Sequence, residues 1–241
     1  VHTTIDEIGR SGARLGASVA ALSDADLRAP CALPGWTRGH VVAHVARSVD
    51  AYLWLLALAR TGAEPAPRQG ADAITRAVQD GAGRPAAELT ADLGSRLARL
   101  AEECVAMPAD AWDTLVPALA GWLHPAWYTL HRAWREFETH HVDLDVGYRT
   151  ADWPAEYVAW ALDDTAAALR AREFPVARIE AVDLGRAWTL SPTGPQVSGP
   201  GHAVLGWLSG RLPDTALAAA SADRLLPTPP SWPMPPSPAW T

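Results

Sequence analysis

Two stretches of this chain carry residues whose types and spacing suit metal chemistry. One is Gly39-His40-Val41-Val42-Ala43-His44; the other is Arg135-Glu136-Phe137-Glu138-Thr139-His140-His141-Val142-Asp143. Glu136 and His140 are four residues apart, so on a helix they share one face, about 40° apart around the axis. An imidazole and a carboxylate on one face can share an ion, with a third ligand supplied by a helix packed alongside. His40 and His44 are also four apart, and either could face inward. His44 is favoured by its place beside Val41 and Val45 on the apolar stripe. Two histidines and a glutamate leave a coordination position open, as in catalytic rather than structural zinc sites. An open zinc activates water or binds a thiol as its thiolate. The same spacing also occurs on solvated helix faces without any ion. Glu138, His141 and Asp143 are placed near a bundle rim, facing solvent or supporting the ligands.

These residues need helices to position them, and the hydrophobic pattern supplies them. Ile5, Ile8, Leu15, Val19 and Leu22 line one face of a first helix, with Thr4 and Glu7 spaced as a capping box. Residues 23–36, with Pro30, Pro34 and Gly35, form a connector. Thr37 is the N-cap of a second helix over 38–60, which Gly62, Pro65 and Pro67 end. A short helix is expected over 72–80. Leu89, Leu93, Leu97, Leu100, Cys104 and Met107 mark a third long helix. A connector containing Trp112 lies between Pro108 and Pro117, and a fourth long helix runs over 125–146, stopping near Gly147. Four long helices predict a bundle over residues 1–150. Residues 151–241 read differently. A helix over 154–174 starts at Pro154, strands occupy 176–190, and a helix covers 200–211. The proline-rich tail 226–241, with Trp232 and Trp240 as possible anchors, is neither regular helix nor central strand. The fold class is thus α+β, a helical bundle followed by a small α/β domain.

Composition excludes several functions. The 241 residues are 49% hydrophobic and 20% charged, which is globular rather than disordered. The net charge of −7 and the absence of a basic run argue against nucleic acid as a partner. No uninterrupted apolar run reaches the roughly 20 residues of a membrane span. The start, Val1-His2-Thr3-Thr4-Ile5-Asp6, has neither the charged nor the apolar region of a signal peptide, so a cytoplasmic protein is expected. There is no lysine and no asparagine, and all 20 basic residues are arginine. That bias fits a GC-rich genome and has no folding rationale. The two cysteines, Cys31 and Cys104, rule out a disulfide scaffold and are expected as apolar thiols.

The run Leu33-Pro34-Gly35-Trp36-Thr37-Arg38-Gly39-His40-Val41-Val42-Ala43-His44-Val45-Ala46, together with Arg135-Glu136 and His140-His141-Val142-Asp143-Leu144, resembles the mycothiol-dependent maleylpyruvate isomerase family. Gly206-Trp207-Leu208-Ser209-Gly210-Arg211 extends the resemblance into the second domain. It implies a DinB-like four-helix bundle with a smaller C-terminal α/β domain. It implies zinc on His44, Glu136 and His140, which selects His44 over His40. It implies mycothiol as the thiol cofactor, adding to an activated double bond, allowing rotation, and leaving the trans isomer on elimination. Arg211 would meet a carboxylate of substrate or thiol, or else complement a helix dipole; Arg38 and Arg135 are further cationic candidates. The stretch Ala63-Glu64-Pro65-Ala66-Pro67-Arg68 departs from the family pattern. Trp122, His124, Trp127, Tyr128, His131 and Trp134 make an unusually aromatic approach to the second motif. These departures keep open a mycothiol S-transferase, and a noncatalytic zinc-binding interaction domain is the third reading. The partners implied are a small-molecule substrate and a small thiol, with no membrane, in a monomer or small homo-oligomer. Neither Cys31 nor Cys104 lies in the matched motifs, so the reactive sulfur would come from that thiol.

Overall fold

Buried Ile8, Leu15 and Val19 form the inward stripe of α1 (His2–Ala20). The helix begins at His2, so the Thr4/Glu7 capping box does not form; Glu7 pairs with Arg10 instead. The computed structural model describes residues 1–219 and 226–231, and the chain divides into two compact units, Val1–Gly147 and the residues from Tyr148 on.

In the first unit, residues 23–36 hold a short helix, α2 (Asp24–Arg28), set off by a capping box between Ser23 and Asp26. The Ser-x-x-Asp spacing carries that signal, outweighed in a sequence reading by the prolines that follow. Thr37 does cap α3 (Arg38–Thr61), and Gly62 ends it in the left-handed region at φ 72°. By length and composition α3 could cross a membrane, but half of that apolar window is buried inside the protein. Arg47 and Asp50 interrupt its apolar run, and it serves here as the central helix of a bundle. Next come α4 (Ala71–Ala82) and α5 (Ala86–Ala106), with Leu89, Leu93, Leu100 and Cys104 buried on α5. A small hairpin follows, β1 (Leu115–Pro117) paired antiparallel with β2 (Leu123–Pro125), where a plain connector is expected. Both strands are three residues long, too short for a period-two signal.

The fourth long helix, α6 (Ala126–Asp143), stops earlier than its apolar pattern suggests. The carbonyls at its end are taken by the loop before α3 and by the first residue of that helix. Ala32 N–H donates to Asp143 O at 3.0 Å, while Arg38 donates to Leu144 O and Asp145 O at 2.8 and 3.0 Å. Asp145 then turns at φ 54°. Arg38 therefore clamps a helix end, a role in keeping with the negative pole there. The long helices close a ring: α3 packs on α5 and α6, and α1 packs on the same two. The core between them is apolar, with Val45, Val49, Leu56, Leu93 and Phe137 buried.

In the second unit, α7 (Ala155–Ala171) follows Pro154 and ends before Glu173, which turns at φ 51°. The strands are β3 (Arg178–Ala181), β4 (Arg186–Thr189), β5 (Gln196–Gly199) and β6 (Ala218–Ala219). Their order is β4-β3-β5-β6, with β3 antiparallel to β4 and parallel to β5. The last helix, α8 (Gly201–Leu208), covers the sheet against β3 and β5 and packs on α7. Residues 226–231 have no regular structure. Trp232 and Trp240, read as tail anchors, lie outside the described residues.

Candidate metal centre

His44 stands in the second turn of α3, and Glu136 and His140 stand one turn apart on α6. Those helices pack directly together, so the two motifs, some ninety residues apart, meet. One donor atom from each residue lies within 4.8 Å of the other two. His44 Nε2 is 2.9 Å from Glu136 Oε1, His140 Nε2 is 3.5 Å from it, and the imidazole centroids are 4.7 Å apart. Ligands tetrahedral about zinc at 2.0–2.1 Å would be about 3.3 Å apart, and the two carboxylate–imidazole separations bracket that spacing.

The fit to a cation is tested by Glu136 Oε1. It is buried and in no aligned hydrogen bond among the described residues, despite two imidazole nitrogens nearby. Lone pairs that converge on a shared point without donating to one another suit an ion. The side chains of His44, Glu136 and His140 are 30%, 15% and 14% exposed, enough for a fourth ligand to arrive from solvent.

The charges agree. Burial alone would raise the Glu136 carboxyl, but His140, then His44 and Ser48 beside it, hold it well below the usual carboxylate range. Burial would lower the His44 imidazolium, but the carboxylates of Glu136 and Asp143 win and raise it above its ordinary value.

Several supporting residues escape a sequence reading. Buried Tyr52 donates through its hydroxyl to Glu136 Oε2 at 3.3 Å, and burial, with the Glu136 charge, pushes its phenol far above its ordinary pKa. Tyr52 therefore stays a donor and pins one carboxylate oxygen. His44, Ser48 and Tyr52 recur every fourth residue of α3, a polar file in an apolar helix that could have been noticed. Asp143, 1% exposed, brings Oδ2 to 2.9 Å from His140 Nδ1, an arrangement that orients a ligating ring. Trp36 sets its ring edge-on to His44 at 5.5 Å.

The remaining candidates have other tasks. His40 is part of the α3 cap: its Nδ1 accepts from Thr37 N–H at 3.2 Å, and Nε2 lies 3.1 Å from Gln79 Oε1. Glu138 and His141 are buried rather than at a solvated rim. Glu138 pairs with Arg14 at 2.6 Å and accepts from Ser11, while His141 Nε2 meets Ser18 Oγ at 2.8 Å. Arg135 is buried. Arg211 follows α8 in the second unit and donates to Ser209 O at 2.6 Å. Cys31 is half-buried against the Leu33 and Trp36 carbonyls, and burial raises both its thiol and that of Cys104, the latter to about 12. Neither is a ready nucleophile.

Residues 8–145 match the family model of the mycothiol maleylpyruvate isomerase N-terminal domain. The chain belongs to that family. The match spans more than half of the sequence and includes His44, Glu136 and His140. Among solved structures, a mycothiol-dependent maleylpyruvate isomerase superposes with a TM-score of 0.87 at 21% identity, over 96% of both chains. A histidine-to-alanine mutant of such an isomerase superposes with a TM-score of 0.86, at the same identity and coverage. At that identity the likeness establishes the fold, a helical N-terminal domain with a small C-terminal α/β domain. No curated protein matches by sequence.

Proposed function

We propose that this protein is a zinc- and mycothiol-dependent cis–trans isomerase of the maleylpyruvate type, working in the cytoplasm. The observation that carries the reading is the convergence of His44, Glu136 and His140 on one accessible point, in a family named for that isomerisation. Those three residues would hold the ion. A bound zinc lowers the pKa of a coordinated thiol, so that it is a thiolate near neutral pH.

The chain's own residues prepare that position. Glu136 supplies a full negative charge, because the imidazoles keep it ionised. Tyr52 holds Oε2 and leaves Oε1 to face His44 and His140. Asp143 engages His140 Nδ1 and so turns Nε2 toward Glu136. Arg211 is proposed to take a substrate carboxylate, for which a guanidinium fork is suited. Its present bond to Ser209 O is the alternative, a cation serving carbonyls beyond a helix C-terminus.

A second reading, a mycothiol S-transferase on the same metal, is favoured by the aromatic cluster of Trp122, His124 and Tyr128 ahead of the Glu136/His140 motif. Metal analysis followed by reaction with mycothiol and maleylpyruvate separates the readings. An isomerase returns product at the mass of the substrate, with the thiol free. A stable thiol adduct identifies the transferase, and zinc-loaded protein without any thiol chemistry identifies the interaction domain. Retention of stoichiometric zinc and activity by His44→Ala would overturn the metal assignment.

A further inference from the structure

Several arginines of the first unit are neutralised by carboxylates. Arg14 pairs with Glu138, Arg60 with Glu103, and Arg47, Arg84 and Arg96 share Asp50, Glu88 and Asp92. Arg132 differs. Its guanidinium lies over the Tyr52 ring at 5.5 Å and over the Trp122 ring at 5.4 Å, and Nη1 is 3.1 Å from His124 Nε2. Among the described residues, no carboxylate pairs with it.

Its position matters. Arg132 precedes Glu136 by four residues and His140 by eight, so all three lie along one face of α6. Tyr52 lies between, with its hydroxyl on Glu136 Oε2 and its ring under Arg132. One phenol ring thus separates a half-buried guanidinium from the candidate metal ligands. The guanidinium carbon lies over both rings, and its N–H groups other than the one toward His124 meet no acceptor among the described residues. A partly buried guanidinium with unused edge donors is a receptor for a planar anion, and edge-on two-point contact is the geometry of a carboxylate. His124 does not oppose this. Burial and the charges of Arg132 and Arg68 hold its pKa down to about 4, while Nδ1 meets Pro125 O at 2.9 Å.

We infer that Arg132 binds a carboxylate of the unsaturated diacid substrate, as an anion-binding position beside the metal ligands and in addition to the role proposed for Arg211. This rests on the isomerase reading for the identity of the substrate, and on the geometry above for the site.

The test is a calorimetric titration of maleate into the zinc-loaded full chain, for wild type, Arg132→Met and Arg132→Lys, alongside the KM and kcat of each. Charge-assisted hydrogen bonds of this kind imply about 10- to 100-fold weaker maleate binding in Arg132→Met. KM should rise by a similar factor with a smaller change in kcat. Arg132→Lys should recover part of the loss, since it restores charge without the fork. Arg60→Gln removes a charge 16 residues beyond His44, about 24 Å along α3, and should leave binding unchanged. Should the Met variant misfold, wild type with the dimethyl ester of maleate, which has no carboxylate, tests the same contact and should bind at least as weakly as the variant would. The inference is overturned if folded, zinc-loaded Arg132→Met binds maleate like wild type, if the ester binds like the diacid, or if wild type binds no maleate. Arg132-dependent maleate binding without isomerisation would retire the isomerase reading and leave the anion site standing. Isomerisation with an unchanged KM in Arg132→Met would do the reverse.

Discussion

Replacing Asp143 by asparagine tests whether the buried carboxylate behind His140 strengthens the proposed zinc site. Asn keeps the size and an oxygen facing His140 Nδ1, so the substitution removes charge with little change of shape. Two unit charges 2.9 Å apart, the observed separation, interact by about 1.4 kcal/mol in water and about 6 kcal/mol at an effective dielectric of 20. The imidazole carries only part of an ion's charge, and the ligand side chains are 14–30% exposed, so the effect belongs toward the lower value. We expect about 1.4–2.8 kcal/mol, a 10- to 100-fold loss of zinc affinity, the range typical of groups supporting a ligating histidine. Competition against a calibrated chelator measures it, with metal-free melting curves as the control for folding. Activity should return when zinc is supplied in excess, because the ligands themselves remain. A folded Asp143→Asn protein with wild-type zinc affinity would refute the argument and make Asp143 only a packing residue.

Three further outcomes follow from the same geometry. Zinc affinity should fall as pH drops through the His44 pKa, which lies above its ordinary 6.5, because zinc must displace that proton; proton release in buffers of different ionisation enthalpy reads it. In the metal-free protein, the raised His44 pKa gives stability that is fully present below pH 6.5 and lost as pH rises through the raised value. The depressed Glu136 pKa gives stability present above its ordinary 4.5 and lost as pH falls toward the folded value, and metal-free melting curves across pH separate the two. Gly39→Ala should cost about 2–3 kcal/mol in denaturant unfolding, because a Cβ there would lie 2.2 Å from Ala82 O and force α3 off α4. Glu138→Ala should cost about 2–3 kcal/mol, since it strips the partner from Arg14, and an unchanged midpoint would show the pair to be neutral.

Much of this protein is legible in its amino-acid sequence, and the reason is periodicity. The leucine spacing of α5 and the four-residue step from Glu136 to His140 survive folding unchanged, because helix geometry is local. Thr37 caps α3 as its residue type predicts. The glycine of the first motif is explained by contact, since Gly39 admits the backbone of α4. Where the sequence reading departs from the structure, tertiary contacts intervene. The apolar pattern carries α6 past Asp143, but Ala32 N–H and Arg38 claim the carbonyls that would mark its end. The short hairpin and α2 are missed because their local signals are weaker than the prolines around them.

The sequence by itself determined the long helices and the residue types able to hold a cation, and its resemblance to the family pointed to His44 on α3. Only the tertiary structure decided that these donors meet within 4.8 Å, that Tyr52 and Asp143 brace them, and that Arg132 faces the same side without a carboxylate of its own. The physical reason is that helical spacing fixes which residues share a face. Which faces meet depends on packing between elements far apart in the chain, and the direction of a side chain depends on neighbours that no local pattern names.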